Sequence, residues 1–396
     1  MNTMSLCCVS CGANYPATLR YACDACGGIL EVDRGAETGE AWAAGLVSPA
    51  VTLGEGWTPL LQARPGSLAS GGGMLWFKDE TRNPSGSFKD RLVSAALTTA
   101  LAFGSKGLVC ASSGNAGASA AAYAARAGIP AVILVPERTP TEKMAQIAAY
   151  GALLVKVEGH YSNSYAMALA VAQETGFVNV TTTFINPYGT DALRLVGHEL
   201  HAQLGDSAPD WVVVPTGSGP LVKGVVQGFA DKGGRLPKIL AVQAEGCAPI
   251  VRAFEDNAAA VSAWGEPKTI ASGISDPLIG YERDGTYTLD LVRRTGGKAV
   301  AVTDDQIRSA MRALAAGNGI FAEPTGASSL AAALKLIESG EIAAGERVVC
   351  MVTGHGFKDF GIYRQMPVHE IRVEAGAPAS VITQALAGMG HSGGND

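Results

Sequence analysis

Residues 107–136 read GLVCASSGNAGASAAAYAARAGIPAVILVP, and the order of their parts decides the fold class. A short apolar run, GLVCAS, gives way to small hydroxyl residues and glycine. An Ala-rich segment, NAGASAAAYAARAG, follows and stops at Gly128, and a second apolar run, AVILVP, begins three residues later. Apolar runs this short, without polar alternation, read as strands buried on both faces. A helical segment between two of them makes a strand–helix–strand unit of a parallel sheet.

The same alternation continues outward. TEKMAQIAAYG is a helix, ALLVKV a strand and SYAMALAVAQETG a helix. Beyond them WVVVPT precedes the helix PLVKGVVQGFADKG, and KILAVQAEG precedes a helix at about 247–260. EPTGASSLAAALKLIESG is a helix and RVVCMVTG a strand. Upstream, LWFKDET is a short strand, and KDRLVSAALTTALAFG runs at helical period. The expected class is α/β, with two doubly wound α/β domains.

Bulk properties agree. The 396 residues are 47% apolar and 17% charged, which suits a compact chain of two or three domains rather than a disordered one. The 50 glycines fall at element ends, as tight strand-to-helix turns require. A net charge of −6 argues against a general nucleic-acid or membrane surface. The N-terminus lacks the basic and apolar regions of a signal peptide, and no apolar run reaches transmembrane length. Cys110, Cys247 and Cys350 stand singly in apolar segments, as small core residues of a cytosolic protein do. The tail HSGGND is expected to be disordered.

Four short motifs could carry chemistry. In NPSGSFKDRLVSA, Asn83–Ala95, Lys89 stands at the first turn of a helix, where the macrodipole disfavours a cation. An amine near positive potential ionises less readily and is a better nucleophile and base. SSGNAGAS, Ser112–Ser119, places hydroxyls and a glycine at a helix start. It is either an anion-binding turn or an ordinary N-cap supplied by Ser113 or Asn115. In PTGSGPLVKG, Gly217 and Gly219 permit positive φ, so the loop is either a phosphate cradle or a tight turn. VVCMVTGHGFKD ends a strand on Thr353, where open α/β sheets bind ligands; His355 between two glycines is left without a role. Together these parts would furnish a pyridoxal phosphate site, with Lys89 forming the Schiff base.

A fifth motif is structural. Cys8-x2-Cys11 and Cys23-x2-Cys26 form two knuckles, each turning on the following Gly12 or Gly27, and four thiolates at this spacing could close a tetrahedral zinc site. Free thiols in a degenerate module are the alternative, and Cys7 is not needed.

LGEGWTPL, KDETRNPSGSFKDR, SSGNAGASAAAYAARAG, QAEGCAPI, EPTGASSLAA and VTGHGFKD together resemble the threonine synthase family of fold-type-II pyridoxal phosphate enzymes. The N-terminal CVSCG…YACDACGGILEV is similar to the cysteine-rich head of many members. The resemblance runs from about residue 8 to 360.

It implies that Lys89 carries the cofactor and moves the Cα proton. Phe88 and Leu221 would line the cofactor, Asn115 would bond its 3′-oxygen, and Gly217, Ser218 and Gly219 would wrap its phosphate. Thr353 would face the ring nitrogen, a neutral partner that leaves the nitrogen unprotonated and favours elimination and replacement. Ser112, Ser113, Gly114, Asn115 and Ala116 would hold the substrate carboxylate, with Asn186 also at the substrate.

The implied architecture is a Cys-rich module over 1–45, a large domain over 46–105 and 205–375, a small mobile domain over 106–200 and a tail over 376–396. A cytoplasmic homodimer acting on a small amino acid is expected by analogy.

Three departures bear on substrate. The family's N-S-x-N-P-x-R segment is here TFINPYG, with Phe184 at the Ser position and Gly189 at the Arg position that help bind substrate phosphate. Ser218 replaces an Asn of the cofactor loop, and Ala116 a Thr of the carboxylate turn. Arg194 is either a replacement charge or a solvated helix residue. The family reaction, O-phosphohomoserine plus water to threonine and phosphate, is therefore set beside β-elimination or β-replacement on a serine-, phosphoserine- or threonine-type substrate, of the dehydratase or cysteate-synthase kind. A zinc-ribbon binding module on an idle body is disfavoured by the intact Lys89, Asn115 and Thr353. A nucleotide-dependent dehydrogenase is disfavoured by the incomplete glycine fingerprint.

Overall fold

The computed structural model describes residues 4–34, 51–68, 74–159, 161–181, 183–205, 208–364, 366 and 370–389. The tail HSGGND and the last residues of the expected 1–45 module lie outside the described residues. The chain divides into two units, Met1–Asp359 and Phe360–Asp396. The second contains the short helix Phe360–Tyr363 and the helix Ser380–Met389.

In the first unit, β1 (Ser5–Cys8), β2 (Asn14–Pro16) and β3 (Leu30–Asp33) form an antiparallel sheet in the order β2-β1-β3. Strands β4 (Leu60–Gln62) and β5 (Leu75–Asp79) come next and pair antiparallel. The decisive stretch then folds as read. β6 (Leu108–Ala111), the helix Asn115–Ala127 and β7 (Ala131–Pro136) form a parallel unit, extended by β8 (Leu153–Val157) and β9 (Val178–Asn179) into a sheet of order β8-β7-β6-β9. The helix ends at Gly128 in the left-handed conformation, with φ 69°.

Strands β10 (Trp211–Pro215), β11 (Lys238–Ala244), β12 (Lys298–Val302) and β13 (Val348–Val352) join β4 and β5 in a second sheet of order β12-β11-β10-β13-β5-β4. All its pairings are parallel except that of the edge strand β4. β10 and β13 are buried at every residue, as strands at the centre of a two-faced sheet must be. Among the described residues no helix is long and apolar enough to cross a membrane.

Candidate active site

The helix Lys89–Ala102 begins where the sequence places it, with Lys89 in its first turn. Asp90 draws the preceding loop tight: its carboxylate accepts from Ser85 N at 2.6 Å and Ser85 Oγ at 2.5 Å. The loop is laid on the end of β13. Phe88 N donates to Thr353 O at 3.1 Å, and His355 N to Gly86 O at 2.9 Å. Lys89 and Thr353, far apart in sequence, are thereby brought to one place.

Lys89 is half-buried, with its Nζ 4.5 Å from the Phe88 ring centroid. Burial pushes its ammonium down to about 8. Nearby positive potential, expected from the helix start, is not what lowers it. The charges that act on the amine are Cys110, Asp276 and Glu323, which all oppose the shift, so desolvation alone supplies it.

Asn115 opens its helix, and its Nδ2 donates to Glu323 Oε1 at 2.7 Å. Glu323 is buried; that burial pushes its carboxyl up to about 7, and its own N–H donates to Gly354 O at 2.9 Å. Asn115 Oδ1, Thr353 Oγ1 and Ser87 Oγ are buried without a hydrogen-bond partner. Buried polar atoms are nearly always paired, so unpaired ones converging around a lysine are what a polar ligand in this cleft would satisfy.

The turn Ser112–Ala116 is not an ordinary side-chain cap. The N-cap is Gly114, and no side chain caps the helix; Ser112 Oγ instead accepts from Gly114 N at 3.2 Å. Ser112 and Ser113 are half-buried, Gly114 is exposed and Ala116 is buried. First-turn N–H groups left uncapped suit a carboxylate.

At the glycine loop, Gly219 is the N-cap of the helix Pro220–Lys232, with φ 116°. A Cβ there would run into the Thr288 side chain, whose Oγ1 donates to Ser218 O at 2.6 Å. The expected positive φ holds for Gly219 but not for Gly217, which is absent from the left-handed residues. Ser218 is buried, and Leu221 packs into the main core. Gly217, Ser218 and Gly219 therefore present backbone at a helix N-terminus, a cradle of the kind that takes phosphate.

Asn186 spends its amide inside the fold: Oδ1 caps the helix Pro187–Ala192 through Gly189 N at 3.0 Å, and Nδ2 donates to Asn179 O at 3.2 Å. Phe184 is buried edge-on to Tyr287, with ring centroids 5.5 Å apart. Gly189 has no space for any side chain, since a Cβ would stand 2.9 Å from Leu92 Cγ and O. Arg194 fits neither sequence reading. It is buried, paired with Asp191 and held by both Asp231 carboxylate oxygens at 2.8 Å. His355 is a loop residue whose Nδ1 accepts from Phe357 N at 3.3 Å.

The four knuckle cysteines converge, with their Sγ atoms all within 4.8 Å of one another. Cys8–Cys26 is 3.5 Å and Cys11–Cys23 3.6 Å, near the ~3.8 Å edge of a tetrahedron with Zn–S bonds of about 2.3 Å. Gly12 and Gly27 follow the knuckles with φ 71° and 69°, and Cys7 stands outside the cluster.

Sequence reasoning gave no role to Glu323, Asp276, Tyr281 or Thr288. Glu323 belongs to the quoted EPTGASSLAA, a signal that could have been used, whereas Asp276 lies in a loop without a motif.

The description "Pyridoxal-phosphate dependent enzyme" belongs to the family that matches residues 51–354. A sheet pair with the lysine loop on one strand end and the glycine loop on another thus defines a fold-type-II pyridoxal phosphate enzyme. Within that class the chain belongs to the threonine synthase family. It is 34% identical over 375 residues to the threonine synthase of Methanosarcina acetivorans, covering 89% of this chain and 91% of the relative. It is 36% identical over 379 residues to that of Methanocaldococcus jannaschii, covering 89% and 92%. Among solved structures, maize serine racemase superposes with TM-score 0.66 at 24% identity, over 84% of this chain and 93% of that one. The processed threonine deaminase isoform 2 of Solanum lycopersicum gives 0.67 at 23%, over 78% and 81%. These two likenesses concern the fold. The chain is accordingly a pyridoxal phosphate-dependent enzyme of elimination or replacement on a small amino acid.

Proposed function

We propose that the reaction is β-elimination or β-replacement on a small amino acid whose leaving group is not a phosphate. The observation that carries this reading is Gly189. The family's substrate-phosphate arginine has no counterpart there because no side chain fits against Leu92, and Arg194 nearby is committed to Asp191 and Asp231. Losing a bidentate guanidinium removes a charge-assisted contact that neutral groups do not replace.

In this reading Lys89 holds the cofactor and moves the Cα proton, which its lowered basicity suits near neutral pH. Asn115 and Thr353 offer their unpaired oxygens' side chains to the cofactor ring, with Phe88 and Leu221 beside it. Gly217–Gly219 hold its phosphate at the helix N-terminus, and Ser112–Ala116 the substrate carboxylate. Pyridoxal phosphate, when bound, supplies the electron sink that makes the Cα proton acidic. Residues 106–200 form the part that closes on substrate; Lys143 meets Asp359 at 2.6 Å, and Gln146 Nε2 meets Ser85 O at 3.0 Å. Cys8, Cys11, Cys23 and Cys26 hold a structural zinc, and the working form is a cytoplasmic homodimer.

The test incubates the cofactor-loaded protein separately with O-phospho-L-homoserine and with L-serine, L-threonine and O-phospho-L-serine, measuring threonine, phosphate and keto acids. Keto acid from an unphosphorylated substrate, with little threonine, is expected. Equal release of threonine and phosphate from O-phosphohomoserine as the fastest reaction would overturn the reading.

A further inference from the structure

Glu31, on β3, is a point where the Cys-rich module grips the body of the chain. Its Oε1 accepts from Tyr287 OH at 2.5 Å and faces Lys223 Nζ at 3.6 Å, and its Oε2 accepts from Gln227 Nε2 at 3.1 Å. Lys223 and Gln227 belong to the helix Pro220–Lys232, whose N-terminus is the glycine loop. Lys223 stands in the first turn of that helix. Its backbone N–H donates to Gly219 O at 3.2 Å, and its side chain is fully buried.

The helix Glu282–Arg294 makes a second connection. Arg283 and Tyr287, one turn apart, face the module: Arg283 Nη1 donates to Gly27 O, beside the second knuckle, and Tyr287 to Glu31. Asp284 and Thr288, the next positions round, face the site. Asp284 Oδ2 accepts from Phe184 N at 3.2 Å, and Thr288 Oγ1 donates to Ser218 O at 2.6 Å. Residues four apart share a helix face, so one helix carries a module stripe beside a site stripe. Tyr188 makes a third connection: its OH donates to Thr18 O at 2.8 Å, and its ring completes the small core of Leu6, Cys8, Cys23, Leu30 and Val32.

These grips depend on the knuckles being closed. β3 is registered on β1 with Leu30 opposite Cys8 and Glu31 opposite Cys7, and Gly27 directly follows Cys26. So small a core needs a staple, and a structural metal is one.

We propose that the Cys-rich module is a positioning element of the cofactor site: zinc in the four-cysteine cluster and the cofactor phosphate on the glycine loop bind with positive coupling, transmitted by Glu31 and the helix Glu282–Arg294. The proposal rests on the readings above that Cys8, Cys11, Cys23 and Cys26 hold zinc and that Gly217–Gly219 hold the phosphate. Open knuckles release Gly27 O and loosen β3. Lys223 is then a buried cation without its carboxylate, and the helix Glu282–Arg294 is free to shift with Thr288, so the loop beside Ser218 loses its aim. Binding free energies are linked, so the cofactor tightens zinc by the same factor by which zinc tightens the cofactor.

The experiment uses the full chain freed of both ligands. Its dissociation constant for pyridoxal 5′-phosphate is measured by absorption titration with and without Zn2+. Its Zn2+ affinity is measured by competition with a chromophoric chelator, with and without saturating cofactor. Circular dichroism reports whether the metal-free chain stays folded. Zn2+ is expected to tighten the cofactor about tenfold, and the cofactor to tighten Zn2+ equally. Glu31→Gln removes the charge and Tyr287→Phe the hydroxyl, both outside the cluster and the loop. Each should keep its zinc, weaken cofactor binding of the zinc-loaded chain about threefold to tenfold, and bring the coupling factor toward one. A merely structural role would weaken the cofactor equally with and without zinc. Equal cofactor constants with and without Zn2+ in the native chain, or native coupling in both variants, would overturn the proposal while leaving both sites standing. If the metal-free chain unfolds, unchanged cofactor affinity in both zinc-loaded variants overturns it instead. A chain that takes up no zinc, or whose cofactor affinity ignores Gly219→Ala, would remove the underlying readings as well.

Discussion

Replacing Gly219 by alanine perturbs the glycine loop at its most constrained point. Two costs add. The backbone sits at φ 116°, where a residue with a Cβ is strained by about 1–3 kcal/mol. The added methyl also runs into the Thr288 side chain, which must rotate and give up its 2.6 Å bond to Ser218 O, a further ~1 kcal/mol. The cofactor cradle proposed above uses this same backbone, so a loop that relaxes to relieve strain would no longer aim its N–H groups. A total of about 2–4 kcal/mol corresponds to a loss of roughly 30-fold or more in cofactor affinity. Equilibrium titration of the apoprotein with pyridoxal phosphate, read by absorption, measures it. Gly219→Ala combined with Thr288→Ala removes the collision but keeps the φ strain, so it should recover only part of the loss. An unchanged dissociation constant in Gly219→Ala would refute the assignment of this loop to the phosphate.

Four other outcomes are expected. Lys89 titrates at about 8 in the folded chain against an ordinary 10.5, so cofactor attachment to the apoprotein should accelerate as pH rises through 8 and level off above it; a rate flat from pH 7 to 9 would contradict this. Between about 8 and 10.5 the unfolded chain binds the proton that the folded one has lost, so apoprotein stability gains a positive slope with pH there, absent in Lys89→Met. Arg194→Ala removes the cation that Asp191 and Asp231 share, leaving Asp191 with Arg34 and Asp231 with His198, and should cost about 1–3 kcal/mol, seen as a lowered Tm, while the substrate preference of the surviving enzyme is unchanged. The purified chain should carry one zinc, measured by elemental analysis. Cys23→Ser should lose it along with thermal stability, and a metal-replete preparation without zinc would dismiss the site.

The decisive stretch was legible because each of its signals is local. Leu108–Ala111 and Ala131–Pro136 are apolar runs that only a two-faced sheet can bury, and Gly128 stops the helix between them. Lys89 and the Gly217–Gly219 loop were legible for the same reason: their chemistry is carried by residue type and immediate neighbours. The direction of the Lys89 shift was read correctly, but its cause was not, since desolvation is a property of everything packed around the amine. Arg194 shows the opposite limit. Its partner Asp231 lies on another helix, and no spacing rule connects them.

The sequence by itself determined the α/β alternation, the lysine in the first turn of a helix, the glycine loop before another and the paired cysteine knuckles, because hydrophobic period, backbone freedom and side-chain chemistry act over a few residues. Only the tertiary structure decided what the site admits. Asn115 meets Glu323 across 208 positions of chain, Asp276 comes to border Gly217, and Leu92 fills the space at Gly189. Those contacts depend on how strands and helices from distant segments pack. Packing at that range is set by the closure of whole layers and leaves no mark in any one stretch of residues.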